Sequence, residues 1–179
     1  MNLFLWGALP YIAFTFLIVG TLVRFFYFER NWTTKSSEFL EKKQLRIGNP
    51  LFHFGLLCVI GGHVVGVLIP KTWTAAIGIN DHMYHQGALY MGAVAGIIFI
   101  VGFLLLMKRR FTVPAMKVNT SGLDKWLYLF LTLAIFSGMA GTLLNASGFF
   151  DYRVSIGPWF RSLLSFMPDP SLMEGVPFM

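Results

Sequence analysis

His53 and His63 stand ten residues apart in the run Leu51-Phe-His-Phe-Gly-Leu-Leu-Cys-Val-Ile-Gly-Gly-His-Val-Val-Gly66, which holds no Asp, Glu, Lys or Arg. An ionisable side chain inside such an apolar run is costly and marks a candidate functional site. On a helix, ten residues rise about 15 Å over about 2.8 turns. That is too far for one metal ion and suits two separate centres, one above the other. Neutral imidazole is an axial ligand for haem iron, and a helix bundle can enclose the apolar macrocycle. Gly55, Gly61, Gly62 and Gly66 keep the same helix slim, so a macrocycle or a neighbouring helix can approach it. A structural alternative stands beside this one: each histidine donates an interhelical hydrogen bond, and the glycines serve helix packing.

His82 and His85 have another setting, Asn80-Asp-His-Met-Tyr-His85, just before a later apolar block. His82 reads as part of a wetted interfacial loop. His85 lies closer to the apolar block, where it could reach a bound quinone or accept its proton. Histidine titrates in the pH range that quinol oxidation requires. Cys58 is the single cysteine of the 179 residues, so they hold no intrachain disulfide and cannot ligate an iron–sulfur cluster alone. It reads as a small buried hydrophobe without a role.

The elements that position these residues follow from composition. Hydrophobic residues make up 56% and charged residues 12% of the chain, against roughly 45–50% and 25% in a soluble domain. The apolar residues form four long blocks, which predict membrane-spanning helices at about 3–23, 51–69, 86–107 and 126–148. Pro50 and Pro70 bound the second. The fold class is thus all-α, a polytopic membrane helix bundle in one domain over 1–179.

The charge of +6 does not indicate nucleic acid, because the cations are confined to a few loops. Segment 24–50 carries six of the fourteen Lys and Arg and segment 108–125 carries five. The positive-inside bias places both loops in the cytoplasm and the N-terminus outside. The first block lacks a basic stretch before it, unlike a signal peptide, and Arg24 and Arg30 follow it. Near the end, Trp159, Phe160, Leu163, Leu164, Phe166 and Met167 predict a short helix on the outer membrane surface. Pro168, Pro170 and Pro177 make the rest irregular.

With these elements in place, the motifs resemble those of the respiratory nitrate reductase gamma subunit, and of its Gram-positive branch above all. Leu51-Phe-His-Phe-Gly and Gly61-Gly-His-Val-Val-Gly are similar to the second helix of that family. Trp32-Thr-Thr-Lys-Ser-Ser-Glu-Phe39, Ile77-Gly-Ile-Asn-Asp-His-Met-Tyr-His85, Arg109-Arg-Phe-Thr-Val113 and Ser171-Leu-Met-Glu-Gly-Val-Pro-Phe178 follow in order, so the likeness covers the whole chain.

The resemblance implies a plasma-membrane protein with five spans and two b-type haems, each held by two histidines. His53 and His63 correspond to the second-helix ligands, of the inner and outer haem respectively. Electrons come from a quinol, menaquinol or ubiquinol, near the outer haem. They pass to an iron–sulfur beta subunit and a molybdenum-containing alpha subunit that reduces nitrate, and the quinol protons stay outside. The chain would then be the membrane subunit of a quinol:nitrate oxidoreductase, with the basic 24–50 and 108–125 loops docking the cytoplasmic subunits. In the family a fifth helix with the opposing histidines follows the Val-Pro-Phe stretch. The sequence stops at Met179, so the expectation is a fragment or truncated reading frame lacking that helix, with a degenerate copy of the family as the alternative. Two other readings stay open: a quinone-linked haem anchor of another reductase, and a non-haem membrane scaffold or assembly partner.

Overall fold

Helix α2 carries both intramembrane histidines and runs over Lys43–Leu68. Pro50 lies inside it rather than at its start. A proline there lacks only the N–H that would reach the carbonyl of Arg46, and Arg46 is exposed, where water can satisfy that oxygen. The helix therefore begins two turns before the predicted span. The computed structural model describes residues 2–28, 40–148 and 151–176. Arg30, Lys35, the Trp32-to-Phe39 motif and the last residues, Pro177, Phe178 and Met179, lie outside the described residues.

The chain divides into two units, Ser37–Asp151 and Met1–Ser36 with Tyr152–Met179. The first unit contains α2, the short α3 (Lys71–Ala76), α4 (Asp81–Thr112), the short α5 (Pro114–Val118) and α6 (Gly122–Ala146). At 32 residues, α4 is about 48 Å long, more than the roughly 30 Å of a hydrocarbon layer. Its first turn is capped by the Asn80 side chain, which accepts from the Met83 N–H at 2.7 Å. Asp81 opens the helix and Arg109 and Arg110 close it, each charge suited to its end of the helix dipole. Ser121 and Asp124 form a reciprocal capping box that starts α6.

Helices α2 and α4 pack backbone to backbone. A Cβ added at Gly55 would lie 2.6 Å from Phe99 Cα, and one at Gly102 would lie 2.7 Å from Phe52 Cα. Only glycine permits such an approach, the usual device of membrane helix pairs. Phe52 fills the seam with its ring 5.2 Å from that of Phe99. Helix α6 joins through aromatic contacts, Phe103 with Tyr128 at 6.3 Å and Phe111 with Tyr128 at 5.7 Å. Outside these seams large apolar side chains are exposed, Phe130 at 63% and Phe136 at 70%. Water would not tolerate that surface on a stable monomer, whereas lipid and apolar partners do.

Ion pairs tie the helix ends and fix their alternation. The Arg109 guanidinium donates to the Glu41 carboxylate at 2.9 Å and to the Glu41 carbonyl at 2.8 Å, and Arg110 pairs with Asp124 at 2.8 Å. The start of α2, the end of α4 and the start of α6 thus share one end of the unit. At the other end Lys71 pairs with Asp151 at 2.6 Å and Asp81 at 3.5 Å. This is the up-and-down order that alternating spans require.

In the second unit a π-helical turn, Phe4–Ala8, leads into α1 (Leu9–Tyr27). The expected amphipathic helix is α7, Ile156–Leu164, which ends before Phe166 and Met167, the former at a φ of 59° that no right-handed helix accommodates. The helix is fastened to the π-helical turn by the Trp159 indole N–H donating to the Trp6 carbonyl at 2.8 Å, and to α1 by the Tyr11 hydroxyl donating to the Leu163 carbonyl at 2.8 Å. A 3₁₀ turn, Pro170–Met173, follows where the prolines predicted irregular chain.

Four helices are long and apolar enough to cross a membrane: Phe4–Tyr27, Lys43–Leu68, Asp81–Thr112 and Gly122–Ala146. The described residues contain no strand. The all-α membrane-bundle class expected from the sequence is the one observed.

Candidate functional site

Each intramembrane histidine is anchored within its own helix. His53 Nδ1 lies 2.9 Å from the Asn49 carbonyl and His63 Nδ1 lies 2.7 Å from the Val59 carbonyl, four residues back in both cases. A carbonyl oxygen only accepts, so Nδ1 must carry the proton in each ring. Nε2 is then left with its lone pair, and both imidazoles are exposed on the surface of α2. These hydrogen bonds are intrahelical, so the interhelical role envisaged as the structural alternative is not what holds either ring.

A metal-ligating histidine is typically oriented in this way, by a hydrogen bond from its other nitrogen that fixes tautomer and ring plane. The donor set fits haem iron: two exposed imidazoles, each with Nδ1 bonded to its own helix. At 1.5 Å and 100° per residue they are about 15 Å apart along the helix and about 80° apart around it. Gly61 and Gly62, just before His63, have open space where a Cβ would stand. A flat macrocycle can approach the helix there.

The two rings differ in support. His53 has an edge-on ring contact with Phe52, centroids 5.2 Å apart, and Phe52 is itself wedged against Phe99. His63 makes no such ring contact among the described residues. Cys58, halfway between them, is exposed. It sits on the outer surface of α2, which corrects the expectation of a buried residue.

His82 and His85 belong to the first turns of α4. The wetted loop expected for His82 is helical because Asn80 caps the chain one residue before Asp81, earlier than the charge pattern suggested. His82 is exposed and His85 half-buried. Among the described residues no three His, Cys, Asp or Glu side chains gather as a metal site. The four histidines therefore do not form one multi-ligand centre.

Charge at the two ends of the unit is set by local partners. The Gln44 backbone N–H foremost, and then the Arg109 guanidinium, hold the Glu41 carboxyl below its ordinary value of 4.5. The Asp151 carboxylate, with Asp81, raises the Lys71 ammonium above its ordinary 10.5. Because the folded pKa of Glu41 is depressed, its lock on α4 is complete above the ordinary value and is lost as pH falls through the lowered one. We expect the thermal midpoint of the purified protein to drop on acidification below about pH 4.5. In Glu41→Gln the midpoint should already be reduced at neutral pH and should respond less to acid.

Sequence reasoning found the histidines and missed what positions them. The carbonyls of Asn49 and Val59 leave no composition signal, and the Glu41–Arg109 pair joins residues far apart in the chain. The glycine approaches leave a faint signal, since α2 is rich in glycine while nothing in the sequence names its partner helix.

Comparison with known proteins is consistent along the chain. Residues 2–179 match the model of the nitrate reductase gamma subunit family. The nitrate reductase gamma chain of Bacillus subtilis is 48% identical over 97% of this chain, which spans 78% of that protein. The nitrate reductase-like protein NarX of Mycobacterium tuberculosis is 39% identical over 96% of the chain, here matching 27% of the relative's length. The respiratory nitrate reductase 1 gamma chain of Escherichia coli is 27% identical over 99% of the chain and 80% of its own length. With a family match along essentially its whole length and close to half its residues shared with a gamma chain, this protein belongs to the nitrate reductase gamma subunit family.

Proposed function

We propose that this chain is the haem b membrane subunit of a respiratory nitrate reductase in the plasma membrane. It takes electrons from a quinol and delivers them to cytoplasmic beta (iron–sulfur) and alpha (molybdenum) subunits, where nitrate is reduced. The observation that carries the reading is the matched pair on α2: two exposed imidazoles, each with Nδ1 committed to a helix carbonyl. His63 is assigned as an axial ligand of an outer haem and His53 of an inner one. Haem, when bound, supplies a one-electron carrier at each level of the membrane.

The chain's own residues do the rest. Asn49 and Val59 hold the rings in the ligating tautomer. His85, at the outer start of α4, is assigned to the quinol side, where an imidazole nitrogen can accept a quinol proton. The basic ends of α2 and α4 face the cytoplasm and meet the partner subunits, with the N-terminus outside.

A reduced-minus-oxidised spectrum of the complex, purified from membranes with its partner subunits, tests the assignment. A haem b band that appears on adding a quinol and disappears on adding nitrate is the expected result. Absence of any haem b band would sink it, and a band that quinol cannot develop would exclude the quinol step.

A further inference from the structure

Three close approaches join α2 to α4, and they bracket His53. A Cβ at Gly102 would stand 2.7 Å from Phe52 Cα and 2.8 Å from the Leu51 carbonyl carbon. One at Gly55 would stand 2.5 Å from the Phe99 nitrogen. One at Gly48 would meet only side chains, Leu106 Cδ2 at 3.1 Å and Leu105 Cβ at 3.2 Å. Gly48 and Gly55 lie about 140° and 160° around the helix from His53 at 100° per residue. Helix α4 therefore bears on the side of α2 opposite the imidazole. A push from α4 is transmitted along the direction in which His53 points.

We propose that Gly102 is a positioning residue for His53. By letting α4 touch the α2 backbone at Phe52, it sets how far the His53 imidazole is carried away from α4, and it leaves His63 unaffected. The inference rests on the haem reading of His53 given above. Iron potentials respond to the axial ligand and its surroundings, so a displaced ligand is legible as a shifted potential. A helix pair packed at native density cannot absorb an added methyl against backbone without moving.

The test is Gly102→Ala in the complete membrane-bound complex, with Gly92→Ala as a matched control on the same helix, where an added Cβ meets nothing within 4 Å. Both are read by potentiometric titration of the haems and by the EPR spectrum of the ferric state. In Gly102→Ala the reduction equilibrium of the haem that depends on His53 should change about tenfold, which is about 59 mV for a one-electron couple. Its EPR signal should move with it, while the haem that depends on His63 keeps its potential. Gly92→Ala should alter neither. Gly48→Ala meets side chains that can yield, so it should shift the same haem in the same direction by less. If Gly102→Ala does not assemble, Gly48→Ala decides between the outcomes in its place.

An unchanged potential and spectrum in a variant that assembles overturn the inference. Equal disturbance or joint loss of both haems also overturns it, since that outcome marks a general packing contact. A wild-type complex without haem b overturns the haem reading itself, a result distinct from either.

Discussion

His53→Ala is expected to remove one haem b signal and leave the other, and His63→Ala to do the reverse. Alanine keeps the helix, since it is the best helix former, and neither imidazole bonds to another helix through its Nδ1. The α2–α4 seam, built on Gly55 and Gly102, should therefore survive both changes, and the complex should assemble with its subunits in normal ratio. Spectra should show a single remaining haem b in each variant, at a different potential in the two. On the proposed reading, quinol-driven nitrate reduction should be nearly abolished in both, because each variant would remove a carrier from one line. Nitrate reduction by an artificial donor that reduces the cytoplasmic subunits directly should be unchanged. Loss of both haems in either single variant would show that the two sites are not independent.

Met116→Ala is expected to be the most damaging change outside the helices that cross the membrane. Met116 is fully buried, at 0% exposure, whereas Val118 two residues on is 88% exposed. Helix α5 is only five residues long, Pro114–Val118, and too short to be stable by its own hydrogen bonds. Met116 is the buried residue of this helix, which lies beside α4. Truncating a buried methionine to alanine costs about 2–5 kcal/mol. The loss should be local, so the readout is trypsin cleavage at Lys117. Cleavage should rise at least tenfold over wild type, with Val118→Ala at the wild-type rate.

What the sequence disclosed follows from how strong each physical signal is. Charge-free blocks long enough to span lipid are a coarse signal, and four helices stand where those blocks predicted them. Helix ends were less legible. Pro50 read as a boundary, yet a lone proline near the exposed start of a membrane helix removes one hydrogen bond and stops nothing. His82 reads as loop because it precedes the apolar block, yet the asparagine cap at Asn80 starts the helix at Asp81. The amphipathic run at Trp159 gave a helix because its apolar positions recur at helical spacing. At the site, residue type and spacing identified His53 and His63. Their tautomers, and the touch of Gly102 on Phe52, depend on atoms that only the folded backbone brings together.

The contacts that hold the two units differ greatly in how much chain they enclose. The seam between α2 and α4 joins neighbours in sequence, with only α3 and short turns between them. The bonds that fasten α7 to α1 and the π-helical turn before it link residues 152 and 153 positions apart. Closing a longer loop costs more entropy and takes longer. During synthesis the α2–α4 hairpin can therefore form as soon as α4 leaves the ribosome, whereas α1 waits until α7 has been made. The histidine-bearing helix would then already be braced against α4 before the clasp that holds α7 closes.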